Sequence, residues 1–157
     1  MTMSESVARI SVLIRSIARP TLARALLSVY AQDLPVRIAV VRADMSDDES
    51  LPSPPAGMTL EVSIPDHPLT RSAAANHLLD RAETELALFL DDDDELLPGH
   101  LRRLVQALDE HPQAAAAFAG VKCVSGAADA PVTVHVYDDE VRLVDQQLQN
   151  RLPIHAV

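Results

Sequence analysis

Cysteine and aromatic residues are scarce in this sequence of 157 residues. The single cysteine, Cys123, excludes an intrachain disulfide framework and any metal site built from several cysteines. Aromatic residues make up only 3% of the chain, so leucine, valine and alanine must fill the core. One cysteine is typical of a reducing compartment, and we expect a cytoplasmic protein.

A long apolar segment and a surplus of basic charge are also missing. No apolar run approaches the roughly 20 residues that a membrane-spanning helix needs, and residues 1–8 lack the basic start of a signal peptide. Lys and Arg total 13 against 23 Asp and Glu, which gives a net charge of −10. Because phosphate backbones are bound by clustered basic side chains, this charge balance argues against nucleic-acid binding. The lack of a long apolar run argues separately against a membrane span.

Strand-like apolar runs alternate with helical segments along the chain, whose length fits one domain with a sizeable core. Short apolar runs predict strands, and apolar residues spaced by three or four predict helices. The predicted strands are Ile10–Ile14, Val36–Val41, Met58–Ile64, Leu86–Leu90, Ala114–Val124 and Val132–Tyr137. The predicted helices cover 20–31, 69–82, 97–111 and 141–149. This order predicts an α/β fold, a Rossmann-like, mostly parallel sheet flanked by helices.

The end of the sequence looks like an interrupted strand. Ile154 to Val157 are strand-like and no turn signal follows them. The pattern therefore predicts a truncated architecture. An unfinished sheet exposes an apolar edge or face, so a second copy of the chain or a partner chain is expected to cover it.

Five consecutive acids, Asp91 to Glu95, follow the predicted strand Leu86–Leu90 directly. Ligands of open α/β sheets bind outside the carboxyl ends of the strands. Crowded carboxylates repel one another unless a cation offsets them, and Mg²⁺ and Mn²⁺ prefer oxygen ligands. The position favours a metal–diphosphate site, while the composition alone equally fits a solvated loop that caps the next helix.

Segments in consistent order over about residues 9–121 resemble the family 2 glycosyltransferases, which have the GT-A fold. The resemblance covers the first strand with its loop, the first helix, the second strand, an R-x-x-A-x-N helix, and an acidic motif followed by a helix. These segments are Ile10–Pro20, Leu26–Gln32, Val40–Val41, Arg71–Asn76 and Phe89–Leu101. The resemblance implies one nucleotide-diphosphate-sugar-binding domain over residues 1–157, with the acceptor half missing.

The resemblance also implies a metal site within the acidic run. Asp93 would be the main ligand of an Mn²⁺ or Mg²⁺ ion that bridges the donor diphosphate, with Asp92 and Asp94 as alternates. Asp91 would lie near the ribose and join the ligand set. The bound metal would stabilise the departing diphosphate.

The nucleotide contacts that the resemblance implies come from several strand ends. Arg15 and Ser16 would line the base pocket, and Arg71 would contact the base or a phosphate, with Asn76 supporting that wall. The family usually has an acid pair after its second strand, and here Asp44 stands near that place. The expected nucleotide-binding set is Arg15, Ser16, Asp44, Arg71, Asp91 and Asp92.

The resulting prediction is metal-dependent, inverting glycosyl transfer from a nucleotide-diphosphate sugar to an unknown acceptor. No position can be assigned to the catalytic base, so the alternative is a truncated, catalytically inactive nucleotide-binding or assembly fragment. A second alternative is a phosphatase of the haloacid dehalogenase type. Asp91-x-Asp93 fits the motif of that family, but Glu95 stands where it has Thr or Val.

Overall fold

The structure is a computed structural model that describes residues 7–17, 19–47, 50–125 and 132–137, the last range for the backbone alone. In chain order its elements are β1 (Ile10–Ser16), α1 (Leu22–Tyr30), β2 (Val36–Arg42), β3 (Thr59–Ser63), α2 (Arg71–Leu79), β4 (Leu86–Asp91), α3 (His100–Glu110), β5 (Val121–Ser125) and β6 (Val132–Tyr137). None of the helices in these ranges is long and apolar enough to span a membrane.

Four of the strands form a parallel sheet in the order β3-β2-β1-β4. The strand β1 pairs with β2 on one side, from Ile10 opposite Val36, and with β4 on the other, from Ile10 opposite Leu86. β5 and β6 form a separate antiparallel pair. The α/β class and the mostly parallel sheet predicted from the sequence are therefore confirmed.

Alternate residues of the strands face two different helical layers, which is why β1 and β2 are apolar on both faces. Ile10, Val12 and Ile14 of β1 face α1 and α3. Leu13 faces the opposite side, where Ala74 and Leu78 of α2 cover it. The sheet is thus the middle layer of three, and β1 and β2 are its two inner strands.

A buried glutamine ties α1 to the start of α3. Gln32 is only 5% exposed, and its Nε2 donates to the carbonyls of Ser28, at 3.1 Å, and Leu97, at 3.2 Å. Its Oε1 accepts from the backbone N–H of Leu101 at 3.2 Å, an N–H of the first turn that has no partner within the helix. These bonds fix the segment that follows the acidic run.

Several predicted segments are longer than the elements in the structure; the helix predicted over 97–111, for example, covers His100–Glu110. Residues 114–120 are not a strand, because alanine has little to pack on a pleated surface, and only Val121–Ser125 pairs. The helix predicted over 69–82 is shorter, since the Thr70 side chain accepts from Ala73 N–H and begins the helix at Arg71. The predicted helix 141–149 and the final strand-like residues lie outside the described residues.

Candidate functional site

The carboxyl ends of β1, β2 and β4 lie together at one edge of the sheet. The backbone N–H of Ala43, just after β2, donates to the Ser16 carbonyl at 2.9 Å. The register places Arg15 beside Asp91. The helix after β1 packs on one face and the helix before β4 on the other, so the crevice between these strand ends is a topological switch point.

A cleft of about 200 Å³ opens at this edge, between α2 and strands β1 and β4. Its polar lining consists of Arg15, Arg71 and Asp91. The apolar lining consists of Leu13, Ala75, Leu78, Phe89 and Leu90. One wall can therefore take a flat apolar group while the mouth carries charge.

Asp91 joins the two arginines of the cleft. Its Oδ1 accepts from Nη2 of Arg15 at 3.3 Å, and its Oδ2 accepts from Nη2 of Arg71 at 3.2 Å. A guanidinium has five N–H donors, so both arginines keep further donors for a ligand. Two cations held at the mouth of a small cleft are suited to binding phosphate oxygens.

A tight turn brings three acidic side chains together at the carboxyl end of β4. The Asp94 N–H donates to the Asp91 carbonyl at 3.1 Å, which folds the chain back on itself. As a result Asp91, Asp93 and Asp94 each offer a carboxylate oxygen within 4.8 Å of the others. Three oxygen donors without nitrogen or sulfur suit Mg²⁺ or Mn²⁺.

Asp92 differs from its neighbours because it points into the protein. Its side chain is only 3% exposed. Its Oδ2 accepts from the backbone N–H of Ile17 at 3.2 Å, and its Oδ1 accepts from Nη1 of Arg19 at 3.4 Å. Asp92 therefore joins the acidic turn to the loop that follows β1.

Arg19 belongs to this site although the sequence analysis did not select it. Its Nη1 donates to Asp93 as well as to Asp92. The only available signal was its place in the loop after the first strand, just before Pro20. On α1, Arg24 pairs with Glu95 at 3.0 Å, so arginines also contact acids at the outer end of the run.

Three of the expected nucleotide-binding residues, Ser16, Asp44 and the inward-pointing Asp92, are not among the residues that line the cleft. Ser16 is fully buried on the same face as Ile14, because strand alternation sends it away from Arg15, and its Oγ has no described hydrogen-bond partner. Asp44 lies in an exposed turn and accepts from the Ser46 hydroxyl at 2.9 Å. Asn76, expected to support the wall, is exposed on α2.

The outer side of α2 carries a perturbed histidine. Burial lowers the pKa of His77, and the nearby charge of Arg81 lowers it further, against the opposite effect of Asp80 and Glu61. The His77 Nε2 lies 2.9 Å from the Ser63 hydroxyl. This pair links α2 to β3 and does not line the cleft.

The fold and this edge define a Rossmann-like α/β protein with a GT-A-like sheet and a charged crevice at its switch point. A family model described as Glycosyl transferase family 2 matches residues 11–151, most of the chain. The chain therefore belongs to glycosyltransferase family 2, as the motifs predicted. This assignment removes the phosphatase alternative.

A solved structure gives the same fold. The crystal structure of S. aureus TarS 1–349 matches with a TM-score of 0.52 and 20% sequence identity. The match covers 66% of this chain and 33% of that chain, so the present sequence spans about a third of the TarS fragment. No curated protein matches the chain.

Proposed function

We propose that this edge of the sheet binds a nucleotide-diphosphate-sugar donor together with Mn²⁺ or Mg²⁺, and that the chain is the donor-binding part of a glycosyltransferase. The observation that carries the proposal is the shared residue Asp91. It lines the arginine-bearing cleft and also belongs to the three-aspartate group. Nucleotide and metal can therefore meet at one carboxylate.

The cleft supports a nucleotide because its apolar and charged parts are separate. Leu13 and Phe89 offer a wall for a base, and Arg15 and Arg71 stand at the charged mouth. Asp91 is within the same lining and can accept from a ribose hydroxyl while it orients both arginines. Ser16 and Asp44 remain in the proposed nucleotide-binding set because they lie at the same strand ends. Neither is among the residues that line the cleft.

Asp91, Asp93 and Asp94 would hold the metal, and their donor chemistry fits it. The metal would supply positive charge against the leaving diphosphate. Arg15 and Arg71 would orient the phosphates and share in neutralising them. Asp92 would set the position of the turn from below, since it contacts the loop after β1 and not the cleft.

The acceptor side is expected from outside the described residues. Asp91 is the acid of the cleft, and it is paired with two arginines, so it is poorly placed to accept a proton from an acceptor hydroxyl. We expect the catalytic base and the acceptor groove from another part of the enzyme, from a partner chain or from a second copy.

We also propose a cytoplasmic location for the protein, because a single cysteine is typical of a reducing compartment.

Calorimetric titration tests the donor site directly. UDP, GDP and dTDP are titrated into the protein with and without Mn²⁺, and then into Asp93→Asn. We expect one nucleotide to bind in an Mn²⁺-dependent manner and Asp93→Asn to weaken that binding at least about tenfold. Glu95→Gln is the matched control, because it removes the same charge from the same acidic run but outside the three-aspartate group.

Two results would decide against the proposal. Equal Mn²⁺-dependent binding by Asp93→Asn and the wild type would reject the metal assignment, and no nucleotide binding at millimolar concentration would reject the donor site. Donor turnover by the chain alone is expected to be absent or limited to slow hydrolysis. Steady transfer to a glycan acceptor would show that the chain has a complete active site.

A further inference from the structure

Arg19 contacts two carboxylates of the acidic turn. One nitrogen of its guanidinium, Nη1, donates to carboxylates of both Asp92 and Asp93. Asp93 also belongs to the three-aspartate group, in which its carboxylate lies within 4.8 Å of those of Asp91 and Asp94. The arginine therefore contacts a side chain that a divalent ion would also use.

We propose that Arg19 is a built-in counter-cation that competes with the divalent metal for Asp93, so that metal binding requires its guanidinium to move away. This inference rests on the proposed metal site and adds its regulation. Without metal, adjacent carboxylates repel, and a permanently charged guanidinium between two of them offsets that repulsion. A divalent ion at Asp93 performs the same task with twice the charge and repels Arg19.

The surroundings allow the side chain to move while the loop stays in place. The buried Asp92 holds the loop backbone through the Ile17 N–H. The Arg19 side chain itself is 44% exposed and the Asp93 side chain 49%. A long, half-exposed side chain can turn into solvent at little cost, whereas a buried, hydrogen-bonded carboxylate cannot.

The nearby pair of Arg24 and Glu95 provides a matched comparison. It has the same chemistry and similar exposure, with side chains 54% and 50% exposed, and it lies two positions farther along the acidic run. Glu95 is not part of the three-aspartate group. Removing the Arg24 charge therefore changes the net charge equally without freeing a proposed metal ligand.

The first test measures Mn²⁺ affinity, without nucleotide, from the free-ion signal in electron paramagnetic resonance. An ion pair of this exposure contributes up to about 1 kcal/mol, which corresponds to about fivefold in affinity. We expect Arg19→Gln to bind Mn²⁺ about fivefold more tightly than the wild type, and Arg24→Gln less than twofold more tightly. Arg19→Lys keeps the positive charge, so its Mn²⁺ affinity should be close to that of the wild type.

The second test uses the wild-type protein and so does not depend on the folding of any variant. The Nε–H signals of its arginines are followed by NMR during titration with Mg²⁺. We expect the Arg19 signal to shift with metal occupancy and the Arg24 signal to stay in place.

Each result separates this inference from the proposed function. Three results would overturn the competition but not the metal site. They are unchanged or weaker Mn²⁺ binding by Arg19→Gln, an equal gain in Mn²⁺ affinity in Arg24→Gln, and an Arg19 signal that does not shift at saturating Mg²⁺. No Mn²⁺ binding by either the wild type or Arg19→Gln would overturn the metal site and the competition together.

Discussion

Asp92 provides a sharp test of the site because it has exposed neighbours of identical chemistry. Its side chain is 3% exposed, whereas that of Asp93 is 49% exposed. Asp92→Ala removes the acceptor of the Ile17 N–H and one contact of Arg19. The change therefore detaches the loop after β1 from the acidic turn.

The expected loss follows from these two contacts. A hydrogen bond to a charged acceptor contributes about 1.5–3 kcal/mol, and the half-exposed Arg19 contact adds at most about 1 kcal/mol. Loss of the buried carboxylate also removes its desolvation cost, which offsets part of both contributions. We expect Asp92→Ala to lower the free energy of unfolding by about 2 kcal/mol, or Tm by about 4–8 °C for a chain of this size.

Scanning calorimetry of Asp92→Ala, Asp92→Asn and Asp93→Ala makes the comparison. Asp92→Asn keeps an oxygen for the Ile17 N–H and should lose less than Asp92→Ala. Asp93→Ala should change the free energy of unfolding by less than about 1 kcal/mol, because it loses only a half-exposed ion pair with Arg19. A Tm of Asp92→Ala within about 1 °C of the wild-type Tm would refute the structural role of Asp92. An equal loss of unfolding free energy in Asp93→Ala would refute it as well.

Three further predictions concern the scaffold. Gln32→Ala removes the partner of the Leu101 N–H and should cost about 1–3 kcal/mol in urea unfolding, and an unchanged midpoint would contradict the role of this link. Leu88→Ala, at a fully buried position, should cost about 2–5 kcal/mol, against less than about 0.5 kcal/mol for Leu97→Ala at a position 60% exposed, and equal costs would refute the assigned core. Because the folded state lowers the pKa of His77, the unfolded chain binds more protons, so stability should fall as pH drops through and below about 6.5. His77→Gln should reduce that slope, and an identical pH profile in the variant would contradict the assignment.

The sequence analysis predicted the sheet well because β1, β2 and β4 carry their signal locally. Leu13 and Ile14 are adjacent, and both are fully buried, on opposite faces. Such strands form continuous apolar runs that are visible without tertiary information. The acids after Leu90 were equally visible, so the position of the site at a strand end followed from the chain itself.

The roles within the acidic run could not be predicted in the same way. Four consecutive aspartates are chemically identical, and only the turn geometry decides that Asp92 points inward. Its partners Ile17 and Arg19 lie 75 and 73 residues away, so no local pattern reports them. The direction of Ser16 was accessible, since strand alternation places it opposite Arg15.

The pairing of β1 with β4 also has a consequence for how the protein folds. Arg15 and Asp91 are 76 residues apart, with α1, β2, β3 and α2 between them in the chain. Closing that loop is an entropically costly step, and until it closes β1 keeps one edge of unpaired N–H and C=O groups. The strand β4 leads directly into the acidic turn, so its pairing with β1 also brings that turn to the carboxyl end of β1.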